Sequence, residues 1–125
     1  MPRLRGHHLV CLQFFVGKGY DRRFVRNVCR VIERAKRGRI VVVSGRDDVC
    51  VACPRKCVGV EELDDLALEL LCLRVGDRVR WDEVRRRVRR ILPVWTKRAC
   101  RGCVWWRVCK RETLKFKCQP QRKHG

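Results

Sequence analysis

Apolar residues recur at helical spacing between Phe24 and Ala35, where Phe24, Val28, Val31 and Ala35 line one face with Val25 and Ile32 beside them. This periodicity predicts an amphipathic helix. Its outward positions carry Arg23, Arg26, Arg30, Arg34 and Arg37, and Gly38 is placed to end it. The β-branched run from Ile40 to Val43 predicts a short buried strand, closed by Ser44-Gly45-Arg46-Asp47-Asp48 as a turn. From Glu61 to Leu73 an acidic start and the apolar positions Leu63, Leu66, Leu70 and Leu73 predict a second helix, because negative charge is favoured at a helix N-terminus. Gly76-Asp77 breaks it. A third helix opens at Asp82-Glu83 with Val84, Val88 and Ile91 or Leu92 as its apolar stripe, and Pro93 predicts its stop.

Each of the two cysteine-rich stretches follows one of these elements, the first after the strand and the second after Pro93. The pattern predicts a small, mainly helical α+β single domain with two cysteine-ligand loops and little strand. Residues 1–109 read as one metal or iron-sulfur-binding domain. Residues 110–125 are rich in Lys and Arg, poor in core formers and contain Pro120, so they are expected to form a basic, flexible tail.

Composition narrows the class. In 125 residues there are 32 Lys or Arg against 13 Asp or Glu, a formal charge of +19, yet 46% of positions are hydrophobic, which excludes a disordered or collagen-like chain. The longest stretch free of charge, Gly6 to Gly17, contains His7, His8 and Gln13 and is too short and polar to span a bilayer. Arg3 and Arg5 before the apolar run imitate a signal peptide only faintly, since no small-residue cleavage site follows, and the expectation is a cytoplasmic protein with no membrane partner. Asn occurs once and Gln three times, a scarcity of thermolabile amides that suggests a thermophile.

Cysteine is the second outlier, with ten in the chain. Cys50, Cys53 and Cys57 lie within eight residues, and Cys100, Cys103 and Cys109 within ten. A C-x-x-C loop lets two sulfurs converge on one metal while backbone N–H groups turn toward them. Cys50, Cys53, Cys100 and Cys103 alone would satisfy tetrahedral zinc, whereas the third cysteine of each stretch fits an iron-sulfur cube better, which takes one thiolate per iron. Structural disulfides are the third reading. His7 and His8 stand four and three residues before Cys11, so on a helical turn a histidine and this thiol share a face and are candidate further metal ligands. Cys29 and Cys72, inside helical segments, read as small buried hydrophobes, while Cys118 reads equally as a free thiol or a late ligand.

The segments Arg5-Gly6-His7-His8-Leu9-Val10-Cys11, Gly17-Lys18-Gly19-Tyr20, Asp47-Asp48-Val49-Cys50-Val51-Ala52-Cys53-Pro54 and Cys100-Arg101-Gly102-Cys103-Val104-Trp105 together resemble the prokaryotic family catalogued as domain of unknown function 1284. Members are commonly labelled iron-sulfur binding proteins, without an assigned reaction. The resemblance implies a cofactor role for Cys11, Cys50, Cys53, Cys57, Cys100, Cys103 and Cys109, with His7 and His8 as part of the motif. Cys29, Cys72, Cys118 and the tail lie outside it.

The charge admits two uses. Arg55, Lys56, Lys97, Arg98 and Arg101 would stabilise an anionic 4Fe-4S centre, which suits a redox, electron-transfer or structural role and an acidic redox partner protein. Alternatively, 24 of the basic residues are Arg, and those of the third helix, Arg85, Arg86, Arg89 and Arg90, with Trp95, Trp105 and Trp106 interleaved, suit nucleic acid, the chain then being a zinc-stabilised nucleic-acid-binding module. Against this, the Trp residues are expected to lid the second cysteine loop. A hydrolase is poorly supported: there is no nucleophile elbow, phosphate-cradling glycine loop or H-E-x-x-H, and Asp47-Asp48 reads as turn chemistry.

Overall fold

A computed structural model describes residues 1–15, 21–53 and 60–99. The chain runs β1 (Arg3–Arg5), α1 (Gly6–Cys11), a 3-10 turn at Leu12–Phe14, α2 (Arg22–Arg37), β2 (Arg39–Val43), a second 3-10 turn at Cys50–Ala52, α3 (Glu61–Leu71), β3 (Arg78–Arg80) and α4 (Trp81–Arg98). This is the expected mainly helical α+β domain. The Gly17-Lys18-Gly19-Tyr20 segment, the second cysteine-rich stretch and residues 110–125 lie outside the described residues.

The sheet has the order β1-β2-β3, with β1 parallel and β3 antiparallel to β2. Ile40 and Val42 point to one face of β2, and register places Val79 opposite Ile40 and Leu4 opposite Val42. All four are buried, so each flanking strand contributes one apolar residue to the same core layer. β1 and β3 are absent from the pattern-based reading because Arg-Leu-Arg and Arg-Val-Arg are too short to show an alternation. They become strands by pairing with β2.

α2 matches its expected span. Asp21 caps it by accepting from the Phe24 N–H at 2.8 Å, Val28, Val31 and Ala35 are buried, and its five outward arginines are exposed. The acidic first turn of α3 is also as expected, but its buried face is Asp64, Ala67 and Leu71, while Leu63, Leu66 and Leu70 pack half-buried on its flanks. The helix stops at Cys72, whose backbone is left-handed (φ 58°, ψ 44°); the Cys72 N–H bonds Glu69 O and the Leu73 N–H bonds Leu68 O, a Schellman-type end. Cys72 is therefore exposed, and so is Cys29, which falls one position off the α2 core stripe. Neither is the buried hydrophobe that its helical context suggests.

Pro93 does not stop α4. The helix continues to Arg98 because the buried stripe Val84, Val88 and Leu92 extends to Trp95, a fully buried side chain whose packing outweighs the one backbone bond that proline removes. The Thr96 hydroxyl donates to Leu92 O at 3.0 Å in this last stretch. Trp95 thus belongs to the core and offers no exposed face on which a base could stack. No helix among the described residues is long and apolar enough to cross a membrane.

Candidate metal centre

The junction between β1 and α1 places Arg5, His7 and His8 in sequence beside two other segments. Parallel pairing of β1 with β2 sets Arg5 opposite Val43, which delivers the following turn and Asp47 to the start of α1. From the other side α3 delivers Asp64. Gly6 makes that approach possible: a Cβ there would overlap the Asp64 carbonyl oxygen and lie 2.9 Å from its carbonyl carbon. Any larger residue would push α3 away from α1.

Asp47 is the turn residue the sequence implies, with Oδ1 accepting from the N–H groups of Val49 (3.0 Å) and Cys50 (3.2 Å). Its Oδ2 does more, accepting from the Arg5 N–H at 2.7 Å and lying 2.8 Å from His8 Nδ1. Asp64 mirrors it. Its Oδ2 accepts from Arg5 Nε at 2.7 Å, and its Oδ1 accepts from the His7 N–H at 3.0 Å and lies 2.7 Å from His7 Nδ1. The Arg5 guanidinium, only 2% exposed, also reaches Cys50 Sγ at 3.8 Å. α2 steadies the same loop, because Asn27 Nδ2 donates to Asp48 O at 2.8 Å.

These contacts fix the protonation pattern. Burial pushes the carboxyls of Asp47 and Asp64 upward, but their hydrogen bonds to His8 and His7, aided by Arg5, prevail and hold both below the ordinary carboxylate value. Ionised carboxylates only accept, so each histidine presents its proton on Nδ1 and in its neutral form carries the lone pair on Nε2. For His7 burial dominates and, with the positive charges of His8 and Arg5, outweighs the pull of Asp64, so its pKa lies below that of free imidazole. Burial pushes the Cys50 thiol up, and the Asp47 charge adds to this despite the hydrogen bonds from the Asp47 backbone and Arg5. Metal binding at Cys50 must therefore expel a proton.

His8, Asp47 and Cys50 each offer a donor atom, the three lying within 4.8 Å of one another. The four hydrogen bonds already on Asp47 fit it better as the group that orients the imidazole than as a ligand, an arrangement typical of metal-binding histidines. Cys50 Sγ and the Nε2 atoms of the two histidines, whose rings are 4.2 Å apart, are then the available donors. Cys50 and Cys53 flank the 3-10 turn, and the Cys53 N–H bonds Cys50 O at 3.1 Å. The buried thiol, the guanidinium beside it and the C-x-x-C turn fit a thiolate-held centre, iron-sulfur or zinc.

Among the sequence-derived candidates, the structure brings His8 and Cys50 together and anchors His7 next to them. Cys53 is half-buried at the turn's end, and Cys11, half-buried at the end of α1, packs against the apolar core. Cys57, Cys100, Cys103 and Cys109 lie outside the described residues. On α4, Arg86 and Arg90 are exposed, whereas Arg85 and Arg89 are half-buried. Sequence reasoning missed Arg5, Gly6 and Asp64. One signal for Asp64 exists: it precedes Ala67 and Leu71 by three and seven residues, on what proves to be the buried stripe.

Fold and centre together define a small, mainly helical α+β domain built around a buried carboxylate-imidazole network with a cysteine at its edge. The chain belongs to the family described as protein of unknown function (DUF1284), which it matches over residues 19–109. The Arg5 to Cys11 segment precedes the matched span. No curated protein and no solved structure matches the chain.

Proposed function

We propose that this protein is an iron-sulfur binding protein, of 4Fe-4S type, with a redox, electron-transfer or structural role in the cytoplasm. The observation that carries the reading is the placement of Cys50. Its thiol, 1% exposed, lies beside a buried guanidinium and within 4.8 Å of a His8 nitrogen, at the head of a C-x-x-C turn. A neutral core would hold a cysteine without such a polar setting. Once deprotonated, Cys50 is a thiolate neutralised by Arg5, and the other thiolates of the cube are drawn from Cys11, Cys53, Cys57, Cys100, Cys103 and Cys109. His7 and His8 are further candidate ligands, held by Asp64 and Asp47 in the orientation ligation requires. The positive charge around such a centre favours its reduced form and an acidic redox partner.

Zinc is the second reading, favoured by the mixed nitrogen and sulfur donors of His8 and Cys50. Anaerobic purification followed by iron, acid-labile sulfide and zinc counting, with visible absorption, separates the two. A brown protein with iron and sulfide in equal amounts supports the iron-sulfur reading, and a colourless protein with stoichiometric zinc overturns it.

A further inference from the structure

The surface of α2 carries a feature that the metal reading does not use. Arg23, Arg26, Arg30, Arg34 and Arg37 are all exposed and follow one another at three- or four-residue steps, so they form a single row along the helix. At 1.5 Å per residue the row is about 21 Å long. Glu33 is the one acidic residue in the helix, and among the described residues none of the five arginines forms an ion pair. Like charges at such steps repel one another. The fold pairs Arg5 with Asp64 and Arg87 with Glu83. On α2 it leaves the repulsion standing, and a polyanion laid along the row relieves it.

The row selects among polyanions. Arginine grips phosphate through a planar fork, which makes it a stronger phosphate reader than lysine. None of the exposed large hydrophobic residues, Met1, Val51, Val75 and Val94, lies on α2, so the helix has no apolar edge to insert into a lipid surface. No aromatic side chain of α2 is exposed, so the row carries no stacking platform of the kind that single strands use. A helix 10–12 Å across matches the major groove of B-form DNA, whereas the deep, narrow groove of duplex RNA excludes it. We infer that α2 is a docking surface for the phosphate backbone of double-stranded DNA, bound without sequence preference through Arg23, Arg26, Arg30, Arg34 and Arg37.

The test uses the full chain, a labelled DNA duplex, the matching RNA duplex, and vesicles containing phosphatidylserine, with salt titration throughout. Two triple variants remove equal charge from exposed positions: Arg26→Gln, Arg30→Gln and Arg34→Gln on α2, against Arg74→Gln, Arg86→Gln and Arg90→Gln in and before α4. The α2 triple should weaken DNA binding at least tenfold and reduce the slope of log K against log salt by about 2.7, at roughly 0.9 per lost phosphate contact. The second triple should change both far less. Equal losses from the two triples, a larger loss from the second, no duplex binding at physiological salt, RNA bound as tightly as DNA, or α2-dependent binding that prefers the vesicles would each overturn the inference. Far-UV circular dichroism of both triples confirms that the helices persist.

Discussion

Replacing Asp64 by Asn tests the buried network where its energetic consequence is largest. The carboxylate accepts three hydrogen bonds, from Arg5 Nε, the His7 N–H and His7 Nδ1, and it is the ion-pair partner of a guanidinium that is 2% exposed. Asn keeps the shape and removes the charge, and it turns an NH2 group toward neighbours that are themselves donors. Removing one member of a buried ion pair costs about 3–5 kcal/mol, because the other charge remains desolvated and uncompensated. A domain of this size holds about 5–15 kcal/mol in total, so the variant loses a large fraction of its stability. Urea unfolding of the metal-free protein, followed by far-UV circular dichroism, reads the loss as a shift in midpoint. Asp65→Asn, its exposed neighbour, should change stability by less than about 0.5 kcal/mol. Adding Arg5→Met to Asp64→Asn should recover part of the loss, since it removes the stranded charge. A loss under about 1 kcal/mol for Asp64→Asn alone would refute the claim that Arg5 depends on this carboxylate.

Gly6→Ala should destabilise by about 1–3 kcal/mol in the same assay, because the new methyl group meets the Asp64 backbone and α1 and α3 must separate. Cys72→Gly should stabilise by about 0.5–1 kcal/mol by relieving the left-handed conformation at the end of α3, an outcome read from the thermal midpoint. Acidification should destabilise the metal-free protein in two stages. His7, whose folded pKa is lowered, contributes stability that is lost as pH falls below its unfolded value of about 6.5, and the lowered Asp47 and Asp64 contribute stability lost as pH falls below about 4 and through their folded values. Urea midpoints at intervals between pH 7 and 3 check the order of these losses, and Asp47→Asn should flatten the lower stage.

What the sequence reveals and conceals follows from how local each determinant is. α2 is legible because its apolar spacing lies within the element and Gly38 directly follows it. β2 is legible for the same reason, as a run of β-branched residues. β1 and β3 are not, since a three-residue strand with one apolar position is defined by its partner. Pro93 misleads because the benefit of continuing α4 lies in burying Trp95, a tertiary gain that no local rule registers. The site divides similarly. His7, His8, Cys50 and Cys53 stand out by type and spacing. Asp64 hides among Glu61, Glu62 and Asp65 in a turn where acidic residues are already favoured by the helix dipole, and Arg5 hides among many solvated arginines. Their roles emerge only when Gly6 lets α3 close on α1.

The central claim is that Cys50, set beside Arg5 and His8, is part of a metal centre, and metal counted per chain tests it most directly. Cys50→Ala removes the sulfur with little loss of volume and should abolish the bound iron and sulfide, or the bound zinc, while far-UV circular dichroism remains that of a folded protein. Undiminished metal in folded Cys50→Ala, or an unaltered protein that never acquires metal under anaerobic conditions, would contradict the account.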